Sequence, residues 1–445
     1  MTPPDQRPRV RVVTVNYNGG PLTLECIEHL RATRWPSGRL ELVLVDNASH
    51  DGVTQIVRRQ WPDVRIVESA VNLGFAGGTN LGVGVLDDVD YVALVNNDVN
   101  VSDDWLDLLV GALEGDATIG AACPKILFAT RFVEIELTAS TARRGRGDRR
   151  ELGARLTGIT VAGRDVLGSV QWWRGFWGPE PDSTPAPATQ WSRGNAVLRV
   201  PVPLGEPAPT TIRVRLVGAS DGAVEIRAGG AAVTAELTTT PAWHEVTVVG
   251  EPIDVVNNAG SILTPDGFGA DRGYLERDDG QFDEPTDVFA WCGAAVVLSG
   301  RYLADVGLLD ERLFLYYEDL ELSWRGREQG WRYRYVPESV VRHVHSATTG
   351  EHSSLARYQN ERNRLLVLAR HASPGTTLRA AGRSVLITAS YARRDVLSPV
   401  LHRARPRSEI VRDRARAFSG FLRLLPAMAI ERHRARTRSR TATSK

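Results

Sequence analysis

The sequence predicts an α/β protein with an inserted all-β module and a basic helical extension. In the first third of the chain, short β-branched runs alternate with amphipathic stretches, as do the strands and crossover helices of a parallel sheet. From residue 132 the pattern changes to short segments of alternating polarity, and near residue 253 the α/β pattern returns. We therefore expect four regions, at 1–131, 132–252, 253–375 and 376–445.

Hydrophobic periodicity places the elements within these regions. The predicted strands are 10–16, 40–46, 64–69, 91–96 and 333–336, and the predicted helices are 22–33, 53–60, 77–86 and 317–329. Alternating segments in the insert, such as 133–137 and 212–216, predict an antiparallel sandwich. A group of four tryptophans in the insert either forms a sugar-stacking platform or fills its core, and we favour the core. They are Trp172, Trp173, Trp177 and Trp191.

The composition is that of an ordinary globular protein with more than one domain. Of its 445 residues, 42% are hydrophobic and 24% are charged, which excludes wholesale disorder. The three cysteines are too far apart in sequence for a disulfide framework or a zinc motif, so a reducing compartment is expected. No secretory signal and no apolar run of about 20 residues is apparent. We expect a cytoplasmic protein.

Charge is distributed unevenly along the chain. Residues 376–445 contain 17 arginines or lysines against four acids, a net charge of +13, so residues 1–375 carry −12. Apolar side chains are interleaved with Arg416 and Arg423 in this region, which is typical of a helix lying in an anionic membrane interface. These side chains are Phe418, Phe421, Leu422, Leu424 and Leu425. The alternative is a helix that packs on the acidic part of the chain or pairs two subunits. No nucleic-acid partner is predicted.

Polar clusters follow three of the predicted strands directly. They are Asn16-Tyr17-Asn18, Asp46-Asn47-Ala48-Ser49 and Asn96-Asn97-Asp98. One such cluster is often only a turn or a helix cap. Three at consecutive strand ends favour a ligand site, because open parallel sheets bind ligands beyond the carboxyl ends of their strands. Asp98 supplies the hard oxygen that Mg²⁺ or Mn²⁺ requires beside a diphosphate.

A glycine-rich segment, 72–80, lies between a predicted strand and a predicted helix. Its glycines are expected to let the backbone approach a ligand closely. The spacing of Gly74, Gly77 and Gly78 does not match G-x-G-x-x-G, which argues against a dehydrogenase.

Further candidates lie in the second α/β region. Glu318 and Asp319 open a predicted helix, where acids serve either the helix dipole or, if kept ionised, general-base catalysis. His343 and His345 alternate on the strand-like segment 340–346 and so share a face. One of them is a metal ligand or both are ordinary histidines; the sequence leaves this open.

Together these motifs resemble the inverting family 2 glycosyltransferases of the GT-A fold, particularly the rhamnosyltransferase-like branch of cell-wall and polysaccharide assembly. The resemblance covers residues 10–125 and 253–372 and includes His343 with Ser346 and Thr348. It implies a nucleotide-diphosphate sugar donor, dTDP- or UDP-linked, with rhamnose as the first expectation and galactofuranose as the second. It further implies Mn²⁺ or Mg²⁺ and a glycan or lipid-linked glycan acceptor.

The resemblance also implies roles for individual residues. Asp98 and His343 would hold the metal, Asp319 would be the catalytic base with Glu318 beside it, and Trp291 and Gly293 would face the acceptor. The residues implied to bind the donor are Thr14, Asn16, Tyr17, Asp46, Asn47, Asn72, Gly77, Asn80, Asn96 and Asn97. Because Asn96 replaces the first acid of the family's Asp-x-Asp motif, metal binding without donor is expected to be weak.

Two other classes are less consistent with the sequence. A nucleotidyltransferase would need a charged glycine-rich loop after the first strand, and Asn18-Gly19-Gly20-Pro21 has no charge. A non-catalytic carbohydrate-binding protein is supported only by the β module, and the presence of Asp98 and Asp319 argues against it.

Overall fold

The computed structural model describes residues 7–145, 148–180, 189–202, 210–344, 353–402 and 405–443. The chain divides into two compact units. The α/β unit comprises Met1–Leu127, Asn257–Tyr274 and Gly280–Lys445, and the β unit comprises Phe128–Val256 and Leu275–Asp279. The β unit therefore begins before residue 132 and gains a later strip of chain. That strip is held by backbone pairing, since Leu275 N–H donates to the Val256 carbonyl and Val256 N–H donates to that of Glu276.

The first part of the α/β unit alternates strands and helices as predicted. Its elements are β1 (Val10–Asn16), α1 (Pro21–Arg31), β2 (Leu40–Asn47), α2 (Val53–Gln60), β3 (Arg65–Ser69), α3 (Gly74–Val83), β4 (Tyr91–Val95), β5 (Val99–Val101), α4 (Trp105–Gly115) and β6 (Ile119–Phe128). Helix α3 begins three residues before the predicted position, because the glycine-rich segment is itself the helix rather than a loop before it.

The β unit consists of two antiparallel layers. Its strands are β7 (Arg131–Ala139), β8 (Ala154–Val161), β9 (Arg164–Asp165), β10 (Gln171–Pro179), β11 (Gln190–Val202), β12 (Thr210–Gly218), β13 (Gly222–Ala228), β14 (Ala231–Leu237) and β15 (Ala242–Val248). Among the described residues, β8 and β11 pair at a single position, Arg155 with Trp191, so the layers meet at one edge. Inward-facing residues of both layers form one apolar core, as in a sandwich.

The tryptophans of the β unit differ in exposure. Trp191 is buried, whereas Trp172, Trp173 and Trp177 are half-buried on β10. Arginines already cover two of these rings: Arg199 lies over Trp173 and Arg193 over Trp177. The core interpretation fits Trp191. For Trp173 and Trp177, the arginines occupy the ring faces on which a sugar would stack.

The chain then completes the α/β unit and adds a helical layer. The elements are β16 (Val256–Asn258), β17 (Ser261–Leu263), β18 (Gly269–Asp271), β19 (Thr286–Val288), β20 (Ala295–Ser299), α5 (Gly300–Val306), α6 (Glu318–Arg327), β21 (Arg332–His343), α7 (Ser354–His371), α8 (Pro374–Ala392), α9 (Ser398–Leu401) and α10 (Glu409–Thr443). Strand β21 is much longer than the predicted 333–336, and it carries His343 at its end.

The main sheet of the α/β unit is parallel on one side and antiparallel on the other. Its order is β19-β21-β6-β20-β4-β1-β2-β3, and β1 pairs in parallel with both β2 and β4. Strand β20 runs antiparallel to β4 and β6. The polar clusters that follow β1, β2 and β4 therefore lie at one edge of the sheet.

The basic C-terminal region packs as a helical layer. Phe421 and Met428 of α10 are buried with Leu365 and Leu368 of α7, and Phe418, Leu424 and Leu425 pack against the same cluster. The segment predicted to lie in a membrane is therefore a protein core, and only Leu422 of the predicted set is exposed. The apolar pattern marked a buried face correctly, but it did not indicate that α7 covers it. Among the described residues, no helix is long and apolar enough to cross a membrane.

Candidate active site

Asn16, at the end of β1, organises the edge of the parallel half-sheet. Its amide nitrogen lies 3.1 Å from both Ser49 Oγ and Asp51 Oδ2. Its amide oxygen accepts hydrogen bonds from Gly19 N–H and from the Thr23 hydroxyl. Asn16 is fully buried, and Thr14 in the same strand is nearly so. Both residues build the frame of the predicted donor site instead of offering surface to a donor.

The next strand end, after β2, fixes the start of α3. The Asn47 amide donates to Asn72 Oδ1 and to the Gly74 carbonyl, both at 3.0 Å, and its oxygen accepts from Leu73 N–H. Buried Asn47 thus has its polar atoms engaged within the protein, whereas neighbouring Asp46 is only half-buried. Of this pair, Asp46 is the one with surface available for a nucleotide.

The glycines of α3 serve close helix-to-sheet packing. A Cβ on Gly78 would lie 2.9 Å from a methyl of Val15, and one on Gly82 would lie 2.4 Å from a methyl of Val13. A Cβ on Gly77 would meet Leu73, and Gly74, with a φ of 72°, faces the Phe314 backbone. The glycines therefore let α3 approach strands and a loop closely, not a ligand. Gly77 has no surface for a donor.

Asn80 joins α3 to the segment before α6. Its amide nitrogen donates to the Leu309 carbonyl and to Glu311 Oε1, and its oxygen accepts from Leu309 N–H. Asn80 is half-buried, and its implied donor contact stays a prediction beside this structural role. Such a bridge across 229 residues of sequence could not be read from local spacing.

Exposed or half-buried donor candidates remain at the same edge. Tyr17 is 41% exposed, directly after β1. Asn97 and Asn72 are half-buried, and Asn97 Nδ2 donates to the Thr23 hydroxyl at 2.8 Å. Together with Asp46, these residues offer one aromatic face and several hydrogen-bonding groups, which suits a nucleoside.

Asp98 and His343 lie side by side. Asp98 Oδ1 is 3.2 Å from His343 Nε2, and His343 Nδ1 is 2.9 Å from Asn257 Oδ1. An amide oxygen only accepts hydrogen bonds, so Nδ1 donates to Asn257 and Nε2 is the ring nitrogen that faces the carboxylate. A carboxylate and an imidazole nitrogen side by side are a pair of ligands that one divalent cation can share. His345, Ser346 and Thr348 lie outside the described residues.

A second feature beside Asp98 fits a cation. Asn96 Oδ1 is buried and has no hydrogen-bond partner among the described residues. A buried oxygen of this kind costs free energy unless something binds it. Within the described chain, no cluster of three or more His, Cys, Asp or Glu side chains suited to a metal is present. A cation here would therefore need further oxygens from a ligand, as Mg²⁺ and Mn²⁺ take from substrate phosphates.

The loop 291–294 connects this edge to α6. The Ala294 carbonyl accepts from Asn96 N–H at 2.9 Å, and Gly293 N–H donates to Asp319 Oδ2 at 3.0 Å. Gly293 therefore positions the predicted base from within the protein. Trp291 is fully buried, so it packs in the core and offers no face to an acceptor, in contrast to the role that the resemblance implies.

Glu318 and Asp319 occupy different environments at the start of α6. Burial raises the pKa of both carboxyl groups, and the charge of Asp319 raises that of Glu318 further. Asp319 is half-buried and accepts N–H bonds from Gly293 and Leu320, whereas Glu318 is buried and its Oε2 has no partner among the described residues. Hydrogen-bond donors stabilise the ionised form of a carboxyl group. Asp319 is thus the member of the pair suited to remain ionised near neutral pH.

Buried ion pairs hold the body of α6 in place. Glu321, 1% exposed, pairs with Arg325 at 2.7 Å, Arg370 at 2.8 Å and His371 at 3.1 Å. Burial alone would raise the pKa of Glu321, but these cations lower it. This carboxylate is structural, and it fixes the helix that presents Asp319.

A loop of unusual backbone conformation precedes α6. Phe314, Tyr316 and Tyr317 have φ values of 65°, 67° and 72°, in the left-handed region that bulky residues avoid. Asn363 of α7 holds this loop, with Nδ2 at 2.8, 2.9 and 2.7 Å from the carbonyl oxygens of Leu313, Leu315 and Tyr316. Asn363 could not be identified from the sequence, because a polar residue in a helix does not indicate which distant loop it binds.

Comparison with known proteins agrees with this architecture. Residues 11–163 match the family model for glycosyl transferase family 2. This match confirms the predicted resemblance to the family over that part of the chain. The predicted fold class, a GT-A α/β protein with a β module and a helical C-terminal region, is also confirmed.

Individual relatives are distant. Two proteins from Mycobacterium tuberculosis strains, named N-acetylglucosaminyl-diphospho-decaprenol L-rhamnosyltransferase, are 29% identical over 126 residues, which cover 26% of this chain. The matched part spans 40% of their length. Among solved structures, GalNAc-T7 with UDP, GalNAc and Mn²⁺ matches with 14% identity and a TM-score of 0.43, over 82% of this chain and 48% of that one. A Pyrobaculum calidifontis mannosyltransferase with GDP-Man and Mn²⁺ matches with 15% identity and a TM-score of 0.39, over 99% and 77%.

Proposed function

We propose that this protein is an inverting, metal-dependent glycosyltransferase that moves a sugar from a nucleotide-diphosphate donor to a hydroxyl acceptor. One observation carries the proposal. The loop 291–294 binds Asn96 through Ala294 and Asp319 through Gly293, so it ties the acidic end of β4 to a half-buried carboxylate. Transfer of a sugar needs these two features together: a place for a diphosphate and a base near it.

The donor nucleotide is assigned to the edge formed by β1 and β2. Tyr17 offers its ring to the base, and Asp46 and Asn97 offer hydrogen bonds to the base and ribose. A dTDP or UDP donor is the first choice. Rhamnose is favoured as its sugar, because the matched relatives are named rhamnosyltransferases.

Asp98 and His343 are the residues that would hold Mn²⁺ or Mg²⁺, with Asn257 orienting the imidazole. A bound cation supplies Lewis-acid stabilisation of the negative charge on a departing diphosphate. Two protein ligands leave most coordination positions for donor oxygens and water. Metal and donor should therefore bind cooperatively.

Asp319 acts as the general base. It removes the proton of the acceptor hydroxyl while that oxygen forms a bond to the anomeric carbon and the bond from this carbon to the diphosphate oxygen breaks. Attack from the face opposite the leaving group inverts the anomeric configuration. Hydrogen bonds from Gly293 and Leu320 keep the carboxylate ionised and oriented.

The acceptor is assigned as a glycan, with a lipid-linked glycan favoured because the relatives' printed name contains a diphospho-decaprenol group. Binding of the donor can be tested first. UDP, dTDP and GDP are added to the full chain with Mn²⁺, Mg²⁺ or EDTA, and the melting temperature is measured, because a ligand of the folded state raises it. A rise that requires both a pyrimidine nucleotide and the metal supports the proposal. No rise with any nucleotide would count against it.

A further inference from the structure

Helix α8 buries two small side chains and exposes three large apolar ones. Ala380 and Ser384 are 7% and 1% exposed, whereas Leu378 and Leu386 are 74% and 72% exposed. Leu378 and Val385 are two helical turns apart and so lie on one face. A helix on a water-soluble protein normally points its large apolar residues inward. In α8 that orientation is reversed.

Polar contacts fix this orientation. Arg414 of α10 reaches Thr388 Oγ1 at 3.1 Å and Ser384 Oγ at 3.5 Å, both on the inner side of α8. The same arginine pairs with Glu361 of α7 at 3.1 Å. Rotating α8 to bury its leucines would break these contacts, so the exposure of Leu378 and Leu386 is built into the packing.

The exposed apolar surface continues beyond α8. Leu397, Val400 and Leu401 are 58%, 56% and 81% exposed. We call this surface the α8 face. It consists of Leu378, Val385, Leu386, Leu397, Val400 and Leu401.

Arginines flank the α8 face, and nearby acids are already paired. Arg379 and Arg383 are exposed on α8, and Arg393 and Arg394 are exposed directly after it; of these, Arg383 pairs with Asp266 at 2.6 Å. Of the four acids in 376–445, Asp395 pairs with Arg394, and Asp413 and Glu409 pair with Arg357 of α7. Glu431 lies 3.6 Å from Arg434. Among the described residues, Arg379 and Arg393 form no ion pair, so this surface keeps a positive charge.

We propose that the α8 face binds the surface of an anionic lipid bilayer, with its leucines below the headgroups and its arginines among them. Charge favours a membrane over a second copy of the chain, because symmetric pairing of two α8 faces would bring arginines of like sign together. The benefit of the docking, access to a lipid-linked acceptor, rests on the proposed function. The docking itself does not.

The test is co-sedimentation of the full chain with vesicles of phosphatidylglycerol and phosphatidylcholine, compared with phosphatidylcholine alone. The Leu378→Asp/Leu386→Asp variant places two charges in the α8 face. Val85→Asp/Val249→Asp is the matched control, because those valines are 69% and 70% exposed and lie outside it. We expect the α8 variant to bind anionic vesicles about tenfold or more weakly, since each leucine loses its transfer from water. The control variant should bind almost as well as the parent.

Two results would overturn the proposal. One is equal binding by parent and α8 variant, and the other is a parent that sediments as a dimer which the α8 variant alone dissociates. Nucleotide-dependent thermal shifts, recorded on all three proteins, separate this proposal from the proposed function. Loss of vesicle binding with an unchanged nucleotide response supports the membrane face regardless of which sugar is transferred.

Discussion

The carboxylate of Asp319 accepts a hydrogen bond from the backbone N–H of Gly293, with Oδ2 and N 3.0 Å apart. A Cβ on residue 293 would lie 3.6 Å from this same oxygen, an ordinary contact, and 3.3 Å from the Phe75 ring, a tight one, so the glycine makes room mainly for Phe75. The loop that holds the proposed base is also the loop that binds Asn96. One backbone loop therefore holds both the proposed base and the polar cluster that follows β4.

Metal dependence is the first prediction. Asp98→Ala should abolish transfer, and EDTA should do the same to the parent, because both remove stabilisation of the departing diphosphate. Asn257→Ala should act more mildly and raise the Mn²⁺ concentration for half-maximal activity by about 10–100-fold, the usual effect of losing a group that orients a metal ligand. Full activity of the parent in EDTA would exclude the metal role.

A second prediction concerns pH. Folding raises the pKa of Glu318, so the protonated carboxyl favours the folded state, and that contribution to stability is lost as pH rises through the folded pKa. Glu318→Gln removes this titration while preserving shape. The free energy of unfolding, measured by urea denaturation between pH 5 and 9, should therefore fall less with rising pH in Glu318→Gln than in the parent.

Exposed Glu28 provides the control for that series. Glu28→Gln should follow the parent at every pH. If Glu318→Gln also follows the parent, the buried carboxyl does not titrate as described. The raised pKa of Asp319 has a parallel consequence for turnover, whose acid limb should lie above the range of an ordinary aspartate.

Asn363 supplies a third prediction. Asn363→Ala should lower turnover while leaving nucleotide affinity unchanged, because the loop that it holds precedes Asp319 but is not part of the donor edge. The loss of buried hydrogen bonds should also cost about 1–3 kcal/mol of stability. Asn360→Ala is the matched control on the same helix, since Asn360 is exposed and, within the described part of the chain, donates to the local Ala356 carbonyl alone. Equal turnover in the two variants would contradict a positioning role.

The glycines of α3 give a fourth prediction. Gly82→Ala would place Cβ 2.4 Å from Val13 and should destabilise the fold by about 1–3 kcal/mol, as overpacking does. Gly111→Ala in α4 meets no atom within 4 Å and should stabilise by about 0.5–1 kcal/mol through helix propensity. Opposite signs in thermal unfolding are expected. Equal effects would show that packing on β1 does not require Gly82.

Local patterns predicted much of the fold. Strand β1 and helix α2 have their predicted bounds, because the pattern of apolar residues in the sequence reflects which positions are buried. The clusters after β1, β2 and β4 also lie at one edge, since parallel pairing fixes where strand ends meet. What the sequence could not indicate was the use of each polar group. Asn16, Asn47 and Asn80 are of a residue type that often binds ligands, yet their hydrogen-bond partners lie inside the protein.

Long-range contacts account for the rest. Asn257, which orients His343, is 86 residues away from it, and Asn363 is 47 residues from Tyr316. Neither has a local motif. In the C-terminal region, the sequence predicted an amphipathic helix but not its partner, so Phe421 was assigned to a membrane that Leu378 and Leu386 are better placed to contact.

The most direct test of the proposed mechanism is turnover of Asp319→Asn with a nucleotide sugar that stabilises the parent. Asparagine keeps the shape and can accept one of the two N–H bonds, from Gly293 or from Leu320, but it cannot accept the acceptor's proton. Transfer should fall by about 10²–10⁴-fold, the usual contribution of a general base, while donor affinity is retained. Near-normal transfer by Asp319→Asn, with the loss appearing in Glu318→Gln instead, would contradict the assignment of the base.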